Sequence, residues 1–258
     1  MGANRRTTQG AWGGRMVLGP GQLLFVGPAG AAARHAHHAV QLVWGLEREL
    51  ALEVERGAVR RRATVVAPNV RHAFDAGGGR VVLLLLDRLG NRGRALQALP
   101  TGSELADELK ELEPPDLGDT PEELAAWMTG LLARLGIAPG RSPGLSGPTR
   151  RALRAIGRGL GGVPRLAEAA AAAKLSPGRL SHLFSEEVGL PFRRYVLWAR
   201  VQRAAQEASH GRSLTECAVA AGFSDGAHFS RTFRAHFGLP PSVVLPLIEL
   251  EPSAWAEP

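Results

Sequence analysis

Apolar residues between Met16 and Asp87 come in short runs, at 22–26, 40–46, 63–67 and 81–86, broken by Gly, Pro or Arg-rich stretches. Residues 50–54 interleave apolar side chains with an acid, as a half-buried strand does. Many short strands separated by turns predict a small barrel or sandwich. From Gly90 the period changes, and 94–99, 102–112 and 120–135 read as helices. The last opens on Thr120-Pro121-Glu122-Glu123, a cap, a first-turn proline and two acids. Its stripe of Leu124, Trp127, Met128, Leu131, Leu132 and Leu135 either packs on the barrel or supplies a dimer surface. Residues 137–148, with three prolines and three glycines, read as a linker, and 149–160 as a basic amphipathic helix.

The pattern then repeats. LSHLFSEEVGLP at 180–191 lies over FSRTFRAHFGLP at 229–240, an offset of 49 that sets Phe184 over Phe233 and Gly189 over Gly238. Upstream the offset is 48, with Leu166 over Leu214 and Ala173 over Ala221, so one extra residue sits in the second copy's turn. A duplicated helix, tight turn and helix is the arrangement of paired helix-turn-helix DNA readers. In the first copy 165–173 is one helix, Lys174-Leu175 the turn, and Ser176-Pro177 the cap and opening of a second helix ending at Gly189. In the second copy 214–221 is the first helix and Gly222-Phe223-Ser224 the turn. Leu180, Phe184 and Val188, and equally Phe229, Phe233 and Phe237, recur every four residues and face inward.

The outward positions are then candidate base readers: Arg179, Ser181 and His182 in the first unit, and Gly226, Ala227, His228, Ser230 and Arg231 in the second. Arg231 can donate two hydrogen bonds to a guanine edge, while Gly226 and Ala227 permit close approach to a thymine methyl. Arg193, Arg194 and Arg234 are placed for phosphates. Residues 192–209 read as an intervening helix of roughly 27 Å, a spacer able to hold two readers about one DNA turn apart.

Composition agrees. The net charge is +7. Residues 1–145 hold 17 Lys/Arg against 15 Asp/Glu, and 146–258 hold 14 against 9, so the repeat-bearing part carries +5. That excess suits a polyanion. At 45% hydrophobic content the chain can build packed cores. The single cysteine, Cys217, excludes an intramolecular disulfide and reads as a small buried residue. No apolar run approaches a membrane span, and MGANRRTTQGAWGG lacks the apolar core of a secretion signal, so a cytoplasmic protein without membrane partners is expected.

The segment GFSDGAHFSRTFRAHFGLPPS resembles the signature of the AraC/XylS family of bacterial transcription regulators, and the likeness extends over about 149–247. It implies binding to promoter DNA as monomer or homodimer, contact with RNA polymerase, and control by a small-molecule effector. Two departures are the small residues Gly178 and Gly226-Ala227 where larger readers are usual. More loosely, His35-Ala-His37-His38 and the later His72 resemble the cupin-like sensing domain often attached to such readers. The expected fold is α+β in two domains. A cupin-like β-barrel with trailing helices would span 1–136, a linker 137–148, and an all-α DNA-binding domain 149–248, with units at about 165–188 and 213–237.

His35, His37 and His72, with His38 as a substitute, are the candidate effector or divalent-metal residues, since imidazole suits Zn, Fe, Ni or Cu. Alternation places His35 and His37 on one face and His38 on the other. The acid of a metal-binding cupin is missing, with Gln41 near its place and Glu47 beyond, which favours an organic-ligand pocket or a polar rim over a metal site. Arg60-Arg61-Arg62 reads as a solvated turn. The expected function is an effector-modulated DNA-binding regulator without catalytic residues, its signal passing from the barrel through the 90–135 helices and the linker. The alternative is a metal-dependent cupin enzyme built on His35, His37 and His72 with DNA binding secondary.

Overall fold

Arg80–Asp87 forms strand β9, and its alternation organises the N-terminal half. The computed structural model describes residues 12–19, 21–55, 57–99, 103–137 and 145–250. Strands β1 (Arg15–Gly19), β2 (Gln22–Pro28), β4 (Ala39–Gly45), β7 (Ala63–Val66) and β9 build one sheet. Strands β3 (Ala31–His35), β5 (Leu50–Val54), β6 (Gly57–Arg61) and β8 (His72–Asp75) build a second, in the order β3-β8-β5-β6. Val82, Leu84 and Leu86 of β9 point to one face of the large sheet, joined by Leu24, Val40, Leu42 and Trp44. Val81, Leu83 and Leu85 point to the other face, joined by Phe25 and, from the second sheet, Leu50, Leu52 and Phe74. A strand apolar on both faces is one covered on both faces.

Helices α1 (Asn91–Gln97), α2 (Ser103–Lys110) and α3 (Pro121–Arg134) cover the first of these faces. The α3 stripe packs there: Leu124, Met128, Leu131 and Leu132 are buried and Trp127 is partly so. Thr120 caps α3 in a reciprocal box with Glu123. The other face is covered by the second sheet and, unexpectedly, by the repeat. Trp198, Val201, Phe229 and Phe233 share one core with Phe25, Phe74 and Leu83.

The helical half comprises α4 (Gly147–Gly159), α5 (Leu166–Ala173), α6 (Pro177–Val188), α7 (Phe192–Ser209), α8 (Leu214–Ala220), α9 (Gly226–Phe237) and α10 (Pro241–Val244). The two turns correspond residue for residue at offset 48. Lys174 and Gly222 both adopt a left-handed conformation. Leu175 N–H and Phe223 N–H then each donate to a carbonyl five residues back, on Ala170 and Ala218. The extra residue of the second copy is Ser224, since the caps Ser176 of α6 and Asp225 of α9 correspond at offset 49.

Several expectations are corrected. Residues 138–144 of the expected linker lie outside the described residues, and its end already belongs to α4, where Ser146 is the cap and Pro148 lies in the first turn. Arg60 and Arg61 are not a turn but part of β6, an edge strand exposed along its length, where charge discourages pairing with another sheet. Past α10 the chain returns to the barrel, and β10 (Ile248–Leu250) pairs in parallel with β1, Met16 opposite Ile248. Helices α1–α3, through which the signal was expected to pass, cover the face of the large sheet turned away from the repeat.

Contact between the halves runs along α7, α9 and β10 and includes the ends of α6 and α9. Both close on a left-handed glycine, Gly189 (φ 76°) and Gly238 (φ 71°). A Cβ on Gly189 would meet the Arg88 guanidinium, which can swing aside. A Cβ on Gly238 would lie 2.2 Å from the Ala33 carbonyl oxygen, which cannot. We therefore expect Gly189→Ala to cost about 1–2 kcal/mol, the strain of a left-handed L-residue. Gly238→Ala should cost clearly more, read as the difference in urea unfolding free energy. Equal losses would show that the Ala33–Gly238 approach is not tight.

Candidate nucleic-acid interface and sensing core

The readers project as their capping and packing dictate. Leu180, Phe184 and Val188 are buried under α4 and α5, leaving Arg179 and His182 exposed and Ser181 half-buried. Gly178 is exposed, with open space where a Cβ would stand. In the second unit Phe229 and Phe233 are buried, and Gly226, Ala227, Arg231 and Arg234 are exposed. Ser230 and His228 are half-buried. His228 is held by its surroundings: its ring stands edge-on to Phe223, and Nδ1 lies 3.2 Å from the Ser224 hydroxyl. Its backbone N–H donates to Asp225 at 2.6 Å, which holds that carboxyl below the usual range. Arg193 and Arg194 are exposed in the first turn of α7, the 18-residue helix between the units.

Sequence reasoning missed the residues that tie these elements together. Glu187 of α6 accepts from both the backbone N–H (3.0 Å) and the hydroxyl (3.1 Å) of Ser146, pinning the start of α4 to the first reader. Arg151 donates to the last carbonyls of α5, on Ala172 and Ala173. Arg200 of α7 is buried, donates to the Gly162 carbonyl at 2.7 Å and lies over the Phe223 ring. Only the amphipathic placement of these charges hinted at such roles.

In the N-terminal half His35, His37 and His72 come together, their rings 4.2–5.6 Å apart between centroids. One ring nitrogen of each lies within 4.8 Å of the others. All three are buried. Each Nδ1 faces a backbone carbonyl, on Ala33 (2.8 Å), Ala39 (2.9 Å) and Val70 (3.0 Å) respectively. A carbonyl only accepts, so Nδ1 carries the proton and Nε2 the lone pair. Gln41 sits among them, its amide oxygen 2.7 Å from His37 Nε2 and 3.3 Å from His72 Nε2. Its buried amide nitrogen has no partner. Turning the amide by half a rotation would offer NH2 to both lone pairs.

His38 faces away, against Tyr195 and Trp198 of α7. The separation expected from strand alternation is present, but 36–38 lie between β3 and β4 and are not strand, and His38 is no substitute for the other three. His236 of α9, unnoticed in the sequence, stacks on Trp198 and donates to the Thr232 carbonyl at 2.8 Å.

Two cavities border these groups. Beside His35, His37 and Gln41, a space of about 50 Å³ is walled by Phe25, Phe74 and Leu83 of the sheets and Phe233 and Leu239 of the repeat. It suits an ion or a few waters, and an organic molecule enters only if side chains move. A cleft of about 650 Å³, the size of a small-molecule site, lies between the large sheet, α4 and α7, with Asp87, Tyr195, Trp198 and Arg158 on its walls. Burial raises the Asp87 carboxyl, and burial beside Asp87 raises the Tyr195 phenol.

Burial also lowers His35 to about 3, His37 to about 4 and His38 to about 4, with neighbouring cationic partners adding to the effect. His72 and His236 are lowered by burial too. In the unfolded chain such rings take up protons near 6.5, which the fold refuses. Stability is therefore undiminished above pH 6.5 and lost as pH falls from there toward 4 and 3. Unfolding free energy measured in urea should drop across that window by more than about 1.4 kcal/mol per pH unit, since several rings contribute. A flat profile would mean that the rings charge freely in the folded chain.

A helix-turn-helix domain family matches residues 169–245. No curated protein matches the chain significantly. Among solved structures, ToxT from Vibrio cholerae O395 is similar at 13% identity and a TM-score of 0.52, over 88% of this chain and 98% of that one. Wild-type ToxT from strain SCE256 with an unsaturated fatty acid bound is similar at 12% identity and 0.55, over 88% and 95%. An AraC-type transcriptional regulator from Chromobacterium violaceum is 28% identical over 37% of this chain and 86% of its own, with a TM-score of 0.36. The sheet-rich half followed by a double helix-turn-helix half is thus a ToxT-like two-domain fold. No helix among the described residues is long and apolar enough to cross a membrane.

Proposed function

From the premise that this chain is a DNA-binding transcriptional regulator of the AraC/XylS type, we propose that it grips promoter DNA with both reading helices at once, under the control of a ligand in its N-terminal half. The observation that carries this is the placement of α6 and α9. Their outer faces are polar and exposed, while their terminal glycines press on the N-terminal half. A ligand that favours one arrangement of that half then biases how the readers are presented, in proportion to its differential affinity. The unsaturated fatty acid bound by ToxT supports reading this fold as one that takes a small-molecule ligand. The domains are 1–136 for sensing and 146–248, from the cap of α4 onward, for DNA, with the segment between them as linker. The chain acts in the cytoplasm on RNA polymerase at the promoter, alone or paired with a second copy.

In the interface, Arg179, Ser181, His182, Ser230 and Arg231 face bases, with Gly226 and Ala227 allowing close approach. Arg193, Arg194 and Arg234 face phosphates. His228 acts by ordering the start of α9, given its contacts with Phe223 and Ser224. Selection of bound duplexes from a random pool should return a site with two recognised segments about 10 base pairs apart. On that site Arg231→Ala should relax preference at one base pair, costing about 1–3 kcal/mol of discrimination. Arg234→Ala should weaken all sequences alike and reduce the slope of log affinity against log salt by roughly one. Wild-type binding by both variants would remove this assignment of the reading faces.

A further inference from the structure

We propose that the cleft of about 650 Å³ between the large sheet, α4 and α7 binds a protonated organic amine with an apolar body, its ammonium held by the Asp87 carboxylate and the Tyr195 hydroxyl. The site stands apart from the regulatory reading above, and only its consequence for DNA rests on that reading. Asp87 closes β9, and its backbone N–H donates to the Gly21 carbonyl at 2.7 Å, which fixes the residue against the turn after β1. One carboxylate oxygen accepts from the Leu89 N–H at 2.9 Å, and among the described residues no cation forms an ion pair with the group. Arg88 and Arg94 favour its ionised form from a distance, while burial deprives it of water. Tyr195 stands beside it with its ring edge-on to Phe184 and His38, and its hydroxyl has no hydrogen-bond partner among the described residues. Buried acceptors left without donors cost free energy that a ligand N–H removes. An ammonium carries both the charge and several N–H groups, so one head serves both acceptors.

The remaining wall selects the body of the ligand. Leu23, Leu85, Leu153 and Ile156 are aliphatic, and the Trp198 indole lines the same space. Asp87 is the only acid among the described residues that line it. The cations nearby are placed elsewhere: Arg203 is paired with Glu207, Arg158 is exposed, and the Arg88 guanidinium stands against Gly189 at the end of α6. Leu160 and Gly161, after α4, and Ala220, at the end of α8, also line the cleft. The two helix-turn-helix units touch next to these residues. A Cβ on Gly222 would lie 2.1 Å from the Leu160 carbonyl oxygen, and Arg200 donates to the Gly162 carbonyl at 2.7 Å. An amine filling the cleft therefore bears on the seam between the units, and through it on the spacing of α6 and α9.

The test uses the full-length chain and three probes with one body, phenylbutylamine, phenylbutanol and phenylbutyrate, titrated calorimetrically at neutral pH. The amine should bind at one site per chain, at least about tenfold more tightly than the alcohol or the carboxylate. Asp87→Asn keeps an oxygen for the Leu89 N–H and removes the charge, so the fold should survive. It should weaken the amine about tenfold or more and leave the alcohol unchanged. Tyr195→Phe should weaken the amine about 2–10-fold. Equal binding of the three probes, a preference for phenylbutyrate, or amine affinity untouched by Asp87→Asn overturns the site. On an operator selected from random duplexes, saturating amine should change DNA affinity by about 5–150-fold in the wild-type chain and leave Asp87→Asn unshifted. Amine binding without that change overturns the coupling. Calorimetry is read without DNA, so failure of the chain to bind any duplex would count against the regulatory reading and leave the site intact.

Discussion

The end of α9 and the edge of β3 meet each other's needs. A helix leaves its last carbonyls without intrahelical donors, and an edge strand leaves a row of N–H groups unpaired. Here the Ala33 and Ala36 amides donate to Gly238 and Ala235, at 3.1 and 3.2 Å. The contact is possible because residue 238 is glycine, both for its left-handed φ and because any Cβ would collide with the Ala33 carbonyl. The rest of the junction follows from this approach. It sets Phe233 and Leu239 against the sheets and brings Val244 and Ile248 into the same core. From there β10 pairs with β1.

The duplication is consequently not symmetric in its attachments. The first unit packs on itself: Leu180, Phe184 and Val188 share a core with Ala152, Ile156 and Ala170, and Leu89 is the residue of the N-terminal half that joins them. Its cap, Gly189, faces the movable end of Arg88. The second unit has no core of its own apart from that of the barrel, since Phe229, Phe233 and Cys217 are continuous with Phe25 and Phe74. A perturbation inside the sheets therefore strains the second reader directly, whereas it reaches the first through Arg88, Leu89 or α7. Arg200 and Phe223 add a stiff link between α7 and the second turn.

What the sequence disclosed and what it withheld divide along a physical line. The repeat was legible because its signals are local: caps at Ser176, glycines at 189 and 238, and an apolar side chain every fourth residue. The residues 192–209 were placed as a helix to the residue. Strands β2, β4, β5, β7 and β9 were legible as apolar runs. Strands β3 and β8 were not, because Ala31–His35 and His72–Asp75 are short and mixed, and their pairing with each other is decided by tertiary contact. Strand β10 was invisible for the same reason: Ile248–Leu250 continues a helical region, and only a partner far off in the chain makes it a strand. The histidine triad was readable from His-x-His and a later His. Gln41 was read as the lack of an acid, whereas its amide lies between two of the rings. His236 went unread, since nothing local distinguishes a histidine on a polar helix from one turned toward a distant barrel.

The two cavities sort what such a junction can sense. The inner space, about 50 Å³, ends on His35 and on Phe233 of α9, so whatever occupies it addresses the second reader. The outer cleft, about 650 Å³, is walled by Leu153, Ile156 and Leu160 of α4 and by Tyr195, Trp198 and Gln202 of α7. It therefore borders the first reader's bundle and the spacer between the two. Leu23, Leu85, Ala205 and Phe237 line both spaces, and Trp198, on the wall of the outer cleft, faces His38 and stacks on His236 of α9. Close-packed side chains transmit displacement because they have few alternative arrangements. Trp198, which lines the outer cleft and stacks on His236 of α9, is thus positioned to make the placing of the second reader depend on what the cleft holds.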